Sequence, residues 1–259
     1  MNSKNKKFAF TLAEGPHRTG NSATNFGKTP RLLRSAGFTL TEVLITIGVI
    51  GVVAAMTIPT LLANTNSSKF RSQFKKSFST LKQSGIMSQA QYGFSYSDAK
   101  EACVDPSTDN PESVMSICAI FNGTLKGISY LGKGDTLKSS NGENYTIKGS
   151  PKGGYDPLTT NMSQYYIYSL ADGSLIGKHV NSTMGFIDVN GFNLPNQEVN
   201  CKDGKVIDEG FKNYGMYETC IVPNKPSNMT DIYPIRFNLG ESGLVPATNA
   251  AEYVLNTAK

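Results

Sequence analysis

The sequence predicts an α+β protein in which one long N-terminal helix packs on an antiparallel β-sheet, and three observations carry that prediction. The first is an uncharged stretch from Val43 to Leu62, headed by Glu42 and followed by Lys69 as the next ionisable side chain. The second is the stripe Phe70, Phe74, Phe78 and Leu81, which recurs every three to four residues, the period of one helix face. The third is a set of short strand-like runs after residue 94. Two of them flank Ala171-Asp172-Gly173, a hairpin signal because glycine tolerates positive φ.

Residues 1–37 read as a basic leader, with Lys4, Lys6, Lys7, Arg18, Lys28, Arg31 and Arg34 against Glu14 alone. From Phe38 onward 18 basic side chains face 19 acidic ones, so the excess of positive charge belongs to the leader. It gives no argument for a nucleic-acid partner, and none is expected. Cationic flanks stay on the cytoplasmic side of a membrane, which places the leader inside and the C-terminal portion outside. No methionine lies between Met1 and Met56, so a shorter form would need a different start codon.

The uncharged stretch reads as a membrane-spanning helix over 38–62. Its 20 charge-free residues, Val43 to Leu62, span roughly 30 Å at about 1.5 Å each, the thickness of a bilayer's hydrocarbon core. A carboxylate at the head of such a helix is costly and calls for a partner. Gly48, Gly51 and Ala55 share one helix face and allow close helix packing. Pro59 removes one helical hydrogen bond, which predicts a kink or loosening near Ala55. An ordinary anchor and a secretory signal peptide, cut after Ala63 or near Ala54-Ala55, are the plain alternatives.

The phrase Gly37-Phe38-Thr39-Leu40-Thr41-Glu42, abutting this helix, resembles the N-terminal segment of type IV prepilins and type II secretion pseudopilins. The resemblance covers about Gly37 to Leu62. It implies a pilin-like fold and cleavage by a prepilin peptidase between Gly37 and Phe38, with N-methylation of the new terminus at Phe38. It also implies that Glu42 is the assembly carboxylate, paired with a neighbouring subunit's N-terminal amine, and that the segment from Gly51 to Pro59 can lose helicity. Phe8-Ala9-Phe10-Thr11-Leu12-Ala13-Glu14 echoes the phrase, but Ala9 stands where glycine should and no apolar helix follows.

The helix is expected to continue over 63–93. Lys69, Arg71, Lys75, Lys76 and Lys82 surround its apolar stripe as a solvated face. Residues 94–259 are expected to form one extracytoplasmic α+β domain, with strands at Tyr145–Lys148, Tyr165–Leu170, Ser174–His179, Met184–Val189 and Ile232–Leu239. Cys103, Cys118, Cys201 and Cys220 lack the paired spacing of a zinc site, and their even number in an exported region favours two disulfides. Sequential pairing closes loops of modest length, and the second loop would resemble the C-terminal disulfide loop of many pilins. Two other connectivities stay open.

Asp188-Val189-Asn190-Gly191 offers hard oxygens on a tight turn, a set that calcium accepts at Asp188 and Asn190. Similar loops bind calcium in some pseudopilins. A turn held by side chain-to-backbone bonds explains the same residues without a metal. Catalysis finds no support. The two histidines are His17 and His179, and no phosphate-binding glycine loop is present.

The expected function is therefore a structural subunit, assembled with copies of itself or other pilins. It would wait in the inner membrane as a single-pass protein before entering an extracellular or periplasmic filament. A minor pilin acting as a binding module and a membrane-anchored protein that never assembles are the alternatives.

Overall fold

The computed structural model describes residues 38–149, 158, 160–202, 219–225, 228–237 and 243–257. The leader with its echo of the processing phrase, Gly37, and the interior of the loop between Cys201 and Cys220 lie outside the described residues. Contacts divide the chain between Gly48 and Val49.

Helix α1 runs from Leu40 to Tyr92 over 53 residues and passes through Pro59 without interruption. In the single chain the segment from Gly51 to Pro59 is helical, and the loss of helicity that the resemblance implies belongs to the assembled filament. A proline removes a single N–H from the ladder, and the long helical run on each side keeps the backbone in register. After Tyr92, Gly93 adopts φ +80° and its N–H donates to the Gln89 carbonyl at 3.2 Å. A left-handed residue of this kind closes a helix end, and glycine does so without steric cost.

Among the described residues six strands follow, β1 (Ser129–Lys133), β2 (Tyr165–Ser169), β3 (Leu175–His179), β4 (Met184–Asp188), β5 (Ile232–Phe237) and β6 (Leu244–Pro246). They lie side by side in sequence order, each antiparallel to the next. The Ala171-Asp172-Gly173 turn joins β2 to β3 with Ser169 opposite Leu175, and Gly173 takes φ +84°. The fold is α+β and pilin-like, a long helix on an antiparallel sheet.

Both sheet faces are buried. On one, Tyr168, Ile176, Ile187, Tyr233, Ile235 and Phe237 pack with Phe70, Phe74, Phe78 and Leu81 of α1. Phe74 stacks on Tyr233 with ring centroids 4.2 Å apart. Two further helices join this layer, α2 (Ile117–Thr124), capped by Ser116, and α3 (Asn249–Asn256), capped by Thr248. On the other face, Tyr165, Ile167, Leu175, Phe186 and Ile232 meet Tyr145, Ile147, Leu158 and Met162.

Tyr145–Lys148 is accordingly not a strand. Its pairing is limited to isolated bridges at Asn144 and Lys148, while Tyr145 and Ile147 are buried beneath the sheet. Their alternating burial reproduces the period of two that suggested a strand.

The disulfides pair in sequence order, Cys103 with Cys118 and Cys201 with Cys220. Within the first loop the buried Asp109 carboxylate accepts from the Val104 and Asp105 N–H groups and the Ser116 hydroxyl, at 3.1, 2.9 and 3.0 Å. Three of the five α1 cations are used internally. Arg71 donates to the Val222 carbonyl at 2.6 Å, Lys75 to that of Thr257, and Lys76 pairs with Asp172 at 3.0 Å.

Candidate functional site

The first turn of α1 is closed by two residues acting on each other. The Thr39 N–H and hydroxyl both donate to Oε2 of Glu42, at 2.8 and 2.9 Å. In return the Glu42 N–H donates to Oγ1 of Thr39 at 3.2 Å, and the Val43 N–H reaches the Thr39 carbonyl at 3.2 Å. A threonine at the cap position with a glutamate three residues on is a capping box, which satisfies orphan donors at a helix start. The box also fixes where the carboxylate sits, at the N-terminal end of the apolar run. The sequence contained this Thr-x-x-Glu signal. Sequence reasoning used Glu42 and passed over Thr39.

The helix that follows has no covering. Over the 20 residues Leu40–Pro59 none of the apolar span is buried, and it is long and apolar enough to cross a membrane. Phe38, just upstream, is 86% exposed. A side chain added at Gly48 or Gly51 would meet no atom within 4 Å, so that small-residue face is open to another helix.

Residues 32–58 match the family model of the prokaryotic N-terminal methylation motif. The chain carries a prepilin-type N-terminal signal. The matched residues include Gly37, Phe38, Glu42, Gly48, Gly51 and Ala55 and stop one short of Pro59. No curated protein and no solved structure matches the chain. The prepilin-type signal implies processing by a prepilin peptidase and assembly with other pilins. It points to a structural subunit rather than an enzyme, and the apolar helix is consistent with membrane anchoring.

The Asp188 turn carries the side chain-to-backbone bond expected of it and lies inside the domain. Asp188 is fully buried at the end of β4; its Oδ2 accepts the Tyr145 hydroxyl at 2.6 Å and its Oδ1 the Asn190 N–H at 3.2 Å. Asp231, which the sequence did not single out, is equally buried and accepts from the Asn196 and Gln197 N–H groups at 2.9 and 2.6 Å. Burial, then the charge of Asp231, pushes the Asp188 carboxyl well above its ordinary value. Burial likewise lifts Asp231 to about 6. Two amide oxygens nearby in sequence, Asn190 Oδ1 and Asn196 Oδ1, are buried without hydrogen-bond partners. Buried carboxylates beside unpartnered amide oxygens are a donor set that suits a hard cation such as calcium.

Other constellations resolve into structure. Cys103, Cys118 and Asp109 lie within 4.8 Å of one another, but the two sulfurs are bonded to each other and are not thiolate ligands. His179 is tied to Gln164 through Nε2 at 3.2 Å and accepts the Asn181 N–H at Nδ1.

Proposed function

We propose that this chain is a structural subunit of a type IV pilus or a type II secretion pseudopilus. The observation that carries the reading is a carboxylate, Glu42, fixed at the head of an uncovered apolar helix inside the matched segment. The precursor waits in the inner membrane with its globular domain outside. Cleavage between Gly37 and Phe38 frees an amine, and N-methylation follows at Phe38. The helix then leaves lipid for the apolar packing of a filament, where Gly48, Gly51 and Ala55 allow close approach and Pro59 permits local unwinding. A buried carboxylate needs an opposite charge, and a neighbour's N-terminal amine supplies it without a further side chain. The filament is extracellular or periplasmic according to the system that builds it.

Two measurements test this. Mass spectrometry of the mature chain from cells with their native peptidase should find N-methylated Phe38 as the first residue. A start near Asn64 would instead make the apolar run a signal peptide. Glu42→Ala should leave membrane insertion intact and abolish filament incorporation; unchanged incorporation would make the helix a plain anchor.

A minor subunit acting as a binding module is the second reading. Its support is a groove of about 370 Å³ beside α1, lined by Lys76, Gln83, Met87, Leu125, Lys126 and Leu170. A calcium ion held by Asp188, Asp231, Asn190 and Asn196 belongs to the same proposal, as a structural ion that would neutralise the buried acids.

A further inference from the structure

The Glu42 carboxylate has two oxygens, and the structure treats them unequally. Oε2 accepts both donors of Thr39, the backbone N–H at 2.8 Å and the hydroxyl at 2.9 Å. Among the described residues no donor reaches Oε1. An ionised carboxylate has about four acceptor sites over its two oxygens, so one occupied oxygen leaves the other competent. A glutamate side chain in solvent or lipid otherwise samples many rotamers, and two bonds to one oxygen hold it in one of them.

We propose that Thr39 is a positioning residue that divides the work of Glu42, keeping Oε2 on its own helix end and presenting Oε1 to the incoming subunit's amine. This rests on the assembly reading given above and adds a residue and a geometry to it. The carboxylate does not have to leave its own helix to meet its partner. Helix start and intermolecular contact are satisfied at once, and the rotamer ordering is complete before docking. Ordering a group in advance removes that entropy from the association step, which is how preorganisation raises affinity. The amine that arrives makes a charge-assisted bond to an oxygen already aimed outward. The threonine hydroxyl is central because it acts in both directions. It accepts the Glu42 N–H at 3.2 Å and donates to the carboxylate at 2.9 Å.

That dual role separates positioning from simple capping. Aspartate is as good a helix cap as threonine or better, because its side-chain oxygen accepts the same backbone N–H. It has no hydroxyl proton to donate and repels the Glu42 carboxylate. Full-length Thr39→Ser, Thr39→Asp, Thr39→Val and Glu42→Ala would be expressed with the native peptidase and assembly machinery. Filament incorporation would be read per processed, membrane-inserted subunit, with processing scored by the mass of the mature N-terminus.

Serine should assemble as the unaltered chain does. Aspartate and valine should be processed and inserted but incorporated about five- to tenfold less, the loss expected for one hydrogen bond. Normal incorporation of Thr39→Asp would mean that capping alone matters, and normal incorporation of Thr39→Val that the hydroxyl does not; either overturns the proposal. Failure of processing in Thr39→Val or Thr39→Asp would assign the residue to the peptidase and overturn it as well. Glu42→Ala keeps the readings apart. If it assembles normally the assembly reading itself falls, whereas if it fails while Thr39→Val and Thr39→Asp assemble, only the role of Thr39 is lost.

Discussion

Lys178 is a cation in an apolar setting. It is 5% exposed in β3, its Nζ donates to the Val180 carbonyl at 3.3 Å, and burial lowers the amine to about 8. Between about 8 and the unfolded value of 10.5 the unfolded chain binds more protons than the folded one, so stability rises with pH across that window. Below it the folded protein carries a buried charge that is not offset. Lys178→Met should therefore stabilise the domain by roughly 3 kcal/mol at pH 7, and the gain should shrink towards pH 10. Urea unfolding of the detergent-solubilised chain at the two pH values reads both effects; no gain at pH 7 would rule the argument out. Gly177 makes the opposite kind of prediction. A Cβ there would lie 2.0 Å from Cε1 of Phe186, whose ring covers the glycine across the β3–β4 pair. Gly177→Ala should cost about 1–3 kcal/mol through overpacking, and Phe186→Leu in the same chain should recover part of it.

Elements were legible in the sequence to the degree that their signal was local. The α1 stripe of Phe70, Phe74, Phe78 and Leu81 keeps one period and buries one face, so pattern and packing agree. The β2–β3 hairpin announced itself through Asp172-Gly173, and the structure uses both residues. Gly173 takes the positive φ, and Asp172 accepts from Ser174 and from Lys76 on α1. α2 was missed because Ile117–Phe121 is an unbroken apolar run, which periodicity cannot assign, although Ser116 stood ready as its cap. β1 and β6 are short edge strands that owe their form to neighbours, and nothing local in Ser129–Lys133 or Leu244–Pro246 declares it. The layer of Tyr145, Ile147, Leu158 and Met162 under the sheet is long-range packing that no local rule reads. At the candidate site Glu42 was plain because a charge abuts an apolar run, whereas the pairing of Asp188 with Asp231 spans 43 positions. The disulfides give a prediction at this scale. Replacing Cys103 and Cys118 by serine opens a loop with a sequence separation of 15, which should cost about 3 kcal/mol. Asp109 still gathers Val104, Asp105 and Ser116 in that loop, so denaturant unfolding should show a weakened but folded domain.

At the scale of the whole molecule, the two buried acids join layers that are otherwise held by apolar contact. Asp188 ends β4 and takes the Tyr145 hydroxyl from the layer beneath the sheet, while Asp231 leads into β5 and takes the backbone of Asn196 and Gln197. Both carboxyls are held above their ordinary value by burial, Asp231 at about 6. A raised folded value means that the folded chain keeps protons the unfolded chain releases. That stability is fully present below about pH 4 and is lost as pH rises through about 6. Heating the solubilised chain should thus give a higher Tm at pH 5 than at pH 7.5, and Asp231→Asn should flatten the difference. The same residues make calcium binding readable without any assay of assembly. If an ion neutralises the pair, millimolar calcium should raise Tm at pH 7.5 in the unaltered chain, less at pH 5 where protons compete, and not at all in Asp231→Asn. A calcium response that survives Asp231→Asn would move the ion elsewhere. No response at either pH, with the pH dependence intact, would leave a shared proton as the means by which the exported domain tolerates two acids in its interior.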